Sequence, residues 1–152
     1  MPALSMIQVL LTSLWTGGAI ITGYIAVPVI FSTLSPNKYL AGTIAGNIFS
    51  LMSWIGIGIG IILLISFLVQ NKNNMAVKVR SILVLSSTVL IALNHFVLTP
   101  MIIVARGLRH SGDQEAAIRF SWLHGGSSIL FLCVTILSVW LLVHLLRNSP
   151  TR

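Results

Sequence analysis

Apolar residues along this chain gather into four runs separated by short polar stretches. The runs read as Met6 to Phe31, Ile44 to Val69, Val79 to Val104 and Phe120 to Leu146. Each holds about 20 or more residues, the length an α-helix needs to cross a hydrocarbon core. The predicted fold is therefore all-α: a polytopic membrane protein, a bundle of four transmembrane helices forming a single domain over residues 1–152. The predicted connections are Ser32 to Thr43, Gln70 to Lys78 and Ala105 to Arg119, with a stub of Arg147 to Arg152. No internal repeat, low-complexity tract or linker interrupts this plan.

Within the runs, small and polar residues recur in alternating steps of four and three, the spacing of a left-handed packing seam. The first span carries Thr12, Thr16, Ala19, Gly23 and Ala26. The second carries Gly42, Gly46, Phe49, Ser53, Gly56 and Gly60, and the fourth carries Ser121, His124, Ser128, Phe131, Thr135 and Ser138. The third is less regular. Ser81, Thr88 and His95 line one stripe while Ser87 and Asn94 line its neighbour, about 100° away. Asn94 and His95 cannot both point at the bundle axis, so one of them is expected at a flank.

Composition supports the membrane assignment. Hydrophobic residues make up 56% of the chain and charged residues 7%, with a mean hydropathy of +0.99. Soluble domains do not have this balance. The N-terminal Met1-Pro2-Ala3-Leu4-Ser5 lacks the basic residues of a signal peptide, and its apolar run exceeds a cleavable h-region, so it reads as a retained first span. Cys133 is the single cysteine, which excludes an intramolecular disulfide and a cysteine-rich metal site. Its position deep in the last span reads as apolar packing.

The net charge of +7 comes from basic residues near the span ends. Such residues anchor spans to anionic lipid and do not indicate nucleic acid. The side holding both termini carries Lys72, Lys78, Arg80, Arg147 and Arg152. The other side carries Lys38, Arg106, Arg109 and Arg119, offset by Asp113 and Glu115. The positive-inside rule then favours cytoplasmic termini by a small margin, in a bacterial inner (plasma) membrane.

Two loops carry helix-start signals on the side away from the termini. Ser35-Pro36 places a capping residue before a proline at the first helical position of the second helix. Ser111-Gly112-Asp113-Gln114 resembles a capping box, with acids in the first turn of the fourth. Both helices are expected to begin ahead of the membrane and to form a rim there. Pro28 and Pro100 remove backbone donors near the ends of the first and third spans, leaving the carbonyls of Tyr24 and Phe96 without their usual partners. These helices are expected to bend there.

His124 is the most informative residue in the spans, since an ionisable side chain there is costly unless something holds it. It stands in Phe120-Ser121-Trp122-Leu123-His124-Gly125-Gly126-Ser127-Ser128. The runs Tyr24 to Phe31, Leu40 to Phe49, Leu93 to Pro100 and Phe120 to Ser128 resemble, in order and spacing, the transmembrane protein 205-like family of small four-span membrane proteins. The matching positions are Pro28, Phe31, Gly42, Phe49, Asn94, Pro100, His124, Gly125 and Ser128. The resemblance implies a polar site in one leaflet, built by His124, Asn94, Ser128, Gly125, Pro28 and Pro100. In the family's pattern the residue after the asparagine varies, so His95 lies outside it. Leu130 to Cys133 also departs from the pattern, which often has a further asparagine there.

Three function classes follow. The first and favoured one is a structural or accessory membrane protein, a subunit of a larger complex, in which the polar motif fixes helix packing. The second is a small transporter or channel acting as a homo-oligomer, with His124 and Asn94 lining a polar cavity. The third is a haem- or metal-binding protein using His124 and His95, two imidazoles that suit axial ligation of haem or, with a third ligand, copper. His144 lies about 200° around the helix from His124 and belongs to no common site with it. His110 reads as a solvated loop residue. Hydrolase chemistry lacks a nucleophile and base pair, and no catalytic residue is assigned. The lipid bilayer is the one partner that composition demands.

Overall fold

The structure, a computed structural model, describes residues 2–70 and 74–147. Lys72 and Arg152, used above in weighing charge, lie outside these residues. Four long helices make up the described chain, and no strand occurs among its residues. They span Ala3–Thr33, Lys38–Leu68, Met75–His110 and Gln114–Arg147, each long and apolar enough to cross a membrane. The predicted spans fall inside these helices except for Val69, which follows the second.

The helices run further than hydropathy implies on the side away from the termini. The predicted connection from Ala105 to Arg119 is mostly helical, because Arg106 and Arg109 end the apolar run without ending the backbone ladder. Cationic side chains in a last turn are in fact favourable there. Only the turn around Gly112, at φ 97°, separates the two helices. Left-handed backbone of this kind suits glycine at a helix end.

The caps differ from the expected ones by a few residues. Asn37, not Ser35, caps the second helix, its Oδ1 accepting the backbone N–H of Leu40 at 3.0 Å. Ser35 and Pro36 lie in the turn before it. Asp113 caps the fourth helix, accepting the N–H of Ala116 at 3.0 Å. Ser111 instead donates back to the carbonyl of Leu108 and closes the third helix.

Each helix packs on its two sequence neighbours, and the first closes the ring on the fourth. The apolar core sits at the termini end and includes Trp15, Ile59, Leu63, Phe67, Leu83, Val84, Ile91, Val134 and Leu141. Glycines allow the close approach. A side chain at Gly56 would meet Trp15 and Ile91, and one at Gly60 would run into Thr88. Small residues serve this purpose in membranes because lipid tails leave no hydrophobic drive between helices. Gln8 adds a buried polar tie, donating to Ser66 Oγ at 2.8 Å. Arg80 is buried too, donating through Nε to His144 Nδ1 at 3.3 Å.

The outer face is apolar throughout. Leu14, Leu51, Ile65, Ile82, Trp122 and Ile129 all point outward. Cys133 joins this face and does not pack in the core, contrary to its expected role. A girdle of this extent is stable in contact with lipid, so the protein is a multi-pass membrane protein.

Candidate functional site

Beyond Ala19 the first helix has no buried side chain, and at matching depths the other three each pass through a stretch without one before burial resumes at Ala41, Ala45, Ile102, Ala105 and Ala116. Residues 46–55, 92–101 and 117–133 contain no fully buried side chain. The last turns of the first helix lie on the second and those of the third on the fourth, while the second and third still touch near their outer ends, where Arg106 lies on Gly42 and Gly46. Between the two pairs lies a cavity of about 710 Å³. Pockets of roughly 300–1,000 Å³ are the usual size for small-molecule sites.

The prolines shape its walls. Each is preceded by one π-helical turn, Thr22–Ala26 before Pro28 and Asn94–Leu98 before Pro100. In each turn the N–H of the following residue, Val27 or Thr99, bonds to the carbonyl of the first, Thr22 or Asn94. A proline ring collides with the carbonyl four residues back and offers it no donor. Widening the helix by one residue moves that carbonyl aside, a device frequent at functional sites. Thus the expected bends take the form of two equivalent π turns. Gly23, Tyr24 and Asn94 from these turns line the cavity. Gly23 is required there, because any side chain would overlap the Phe131 ring.

The deep wall is aromatic. Phe131 meets Phe49 edge-on, with ring centroids 5.2 Å apart, and Tyr24 at 6.0 Å. Asn94 reaches this wall from the third helix, and its Oδ1 is buried without a hydrogen-bond partner among the described residues. The mouth is cationic. Lys38, Arg106 and Arg109 line it, together with His110, which stacks on Tyr39 at 4.2 Å. Phe120 stands among the charges, with Arg109 at 5.0 Å, Arg106 at 6.0 Å and the parallel ring of His124 at 5.5 Å. No acidic residue lines the cavity. Asp113 is engaged as a cap and Glu115 is exposed in the first turn beyond it.

Of the residues singled out from sequence, Asn94, His124 and Ser128 line this cavity, as do Phe31, Gly42 and Phe49. Pro28, Pro100 and Gly125 do not; Pro28 and Pro100 are exposed and act through the π turns. The Ser128 hydroxyl bonds to the His124 carbonyl at 2.9 Å, within its own helix. Among the described residues the His124 imidazole has no hydrogen bond, and its ring contact is with Phe120. His95 takes the flank position foreseen for one of the adjacent pair. It packs between Trp54, 5.1 Å away, and Phe96, 4.8 Å away. It does not share the cavity with His124, and no three His, Cys, Asp or Glu side chains among the described residues gather as metal ligands. The pair proposed for haem or copper is therefore not assembled in one site.

Sequence reasoning passed over the cations of the mouth. Arg106 and Arg109 looked like loop residues because they end a hydropathy window, and His110 like a solvated one. The available signal was their spacing: Arg106, Arg109 and His110 fall within one helical turn.

Residues 10–111 match the family model described as "Domain of unknown function (DUF4149)", and the chain belongs to this family. The match runs from the first helix to the end of the third and leaves the fourth outside it. No curated protein matches the chain, and no solved structure does.

Proposed function

We propose that this membrane protein binds a small molecule in the cavity where its four helices part, and that it works as a carrier or receptor for that molecule. The observation that carries the reading is the cavity itself, with the unpartnered amide oxygen of Asn94 at its deep wall. A buried polar atom left without a partner in a helix bundle costs about 0.5–2 kcal/mol. Among the buried side-chain polar atoms without a partner in the described residues, Asn94 Oδ1 is the one whose residue lines the cavity. With cytoplasmic termini, the cavity opens toward the extracytoplasmic leaflet. The resemblance to transmembrane protein 205-like proteins belongs to the same proposal, since six of its motif positions stand on the cavity wall.

The accessory-subunit reading makes a different use of the same residues, filling the space with a partner's side chains. The two separate experimentally. Protein purified alone in a bulky sterol-based detergent is expected to retain about one extractable small molecule per chain, and Ser127→Trp, which narrows the cavity, to retain much less without losing its melting transition. Equal small-molecule content in both, or co-purification of a stoichiometric protein whose removal collapses the bundle, would overturn the ligand reading.

A further inference from the structure

We infer that the molecule bound is an anionic amphiphile, carrying a phosphate or carboxylate group and an apolar chain, with Arg106 holding the anion. This rests on the ligand-binding reading above and specifies its chemistry.

Arg106 is the starting point. Its side chain lies along the second helix on a bed of two glycines: a Cβ at Gly42 would be 3.4 Å from its Nε and one at Gly46 3.4 Å from an Nη. The Gly42 and Gly46 stripe thus seats a guanidinium and does not bring two backbones together. Phe120 borders it from the fourth helix. Three helices therefore fix the group, yet among the described residues it has neither an acidic partner nor a hydrogen-bond acceptor. A guanidinium presents five donors in a planar fork. A guanidinium held partly out of water normally pairs with an acid or with carbonyls. Arg80, at the other end of the same helix, does so through His144.

The surroundings decide which acceptor fits. Lys38 and Arg109 add positive charge beside Arg106 and nothing on the wall offsets it, so a cationic ligand is repelled and a neutral one leaves the fork unmatched. Phosphate and carboxylate oxygens match the fork in pairs. Below the mouth the wall turns to Phe49 and Phe131, and the helix descends about 18 Å from Arg106 to Asn94. A free oxyanion would occupy only the mouth. An amphiphile fills both parts, and its orientation, anion at the membrane surface and chain toward the midplane, is the one it already holds in the leaflet. That continuity favours the bilayer as its source.

The test uses the full chain in phosphatidylcholine nanodiscs, with empty discs to correct for partitioning, and four probes: dodecyl phosphate, dodecanol, dodecyltrimethylammonium and inorganic phosphate. Dodecyl phosphate is expected to saturate one site per chain, binding at least about tenfold tighter than the neutral or cationic probe. It should also bind more than about a hundredfold tighter than inorganic phosphate. Arg106→Gln should reduce it to the affinity of dodecanol, and Arg106→Lys, which keeps charge and loses the fork, should weaken it several-fold. Arg119→Gln, exposed on the same side and outside the cavity, should leave it unchanged. Equal saturable binding of dodecanol and dodecyl phosphate would overturn the anion assignment while leaving the cavity reading intact. Equal binding of inorganic phosphate would overturn the amphiphile in favour of a free oxyanion. Saturation by none of the four would overturn both readings together.

Discussion

At the end of the bundle that holds the termini, Arg80 is buried and donates to His144, and glycines let Trp15 and Thr88 press against the second helix. At the other end Arg106 lies on glycines as well, but it faces a cavity and meets no acceptor among the described residues. The same two ingredients, a cation on a membrane helix and a glycine stripe, are used to close the bundle in one place and to keep it open in the other. What separates them lies between: the π turns ahead of Pro28 and Pro100 fall where the helices part. Glycine spacing therefore says how close something approaches, and the neighbouring helix geometry decides what that something is.

The comparison breaks most readily at Gly60. Gly60→Leu at the closed end should force Thr88 and the third helix away, costing about 3 kcal/mol or more. Ser128→Leu, pointing into the cavity, should cost under about 1 kcal/mol because open space receives it. Thermal melts of the two variants in the same detergent check this, and comparable losses would erase the distinction. Arg80→Ala comes next. It removes the donor to His144 and a buried stem, with an expected loss of about 2 kcal/mol, read by the same melts.

Arg106→Met should act in the opposite direction, stabilising the protein by up to about 1 kcal/mol in a neutral detergent, since a half-buried guanidinium without an acceptor among the described residues is partly desolvated for no return. A destabilised variant would mean that Arg106 serves the fold. The smallest effect is expected at Thr12, whose hydroxyl is buried without a partner among the described residues, next to a void of about 30 Å³ at the closed end. Thr12→Val should be neutral or stabilising by about 0.5 kcal/mol. A clear loss would reveal that a water held there joins Thr12 to Ser87 or Ser138 across the void, since a space of this size admits one.

Much of the architecture was legible in the chain because bilayer thickness and hydropathy leave few alternatives for runs of this length. Asn94, His124 and Ser128 were legible for a related reason, as polar groups inside apolar runs stand out and must have a purpose. The cationic mouth was hidden by that logic: Arg106 and Arg109 mark where an apolar window ends, and only the continuing helix turns them back toward the bundle. Periodicity placed Gly42 and Gly46 on the inner face, yet it says nothing of what lies opposite, and a guanidinium occupies the place where a helix was expected. Pro28 and Pro100 advertised broken hydrogen bonds. Whether a helix answers with a kink or a π turn depends on what packs beside it, and here Gly23 admits the ring of Phe131. His95 and Asn94 are adjacent in sequence and carry similar chemistry, and only the flank contact with Trp54 separates them.

The most direct measurement is an experimental structure of the protein in nanodiscs containing dodecyl phosphate. Density for a headgroup is expected against Arg106, with its chain running between Phe49 and Phe131 toward Asn94. Helices closed over that space, or a second subunit's side chains filling it and pairing with Arg106, would contradict this expectation.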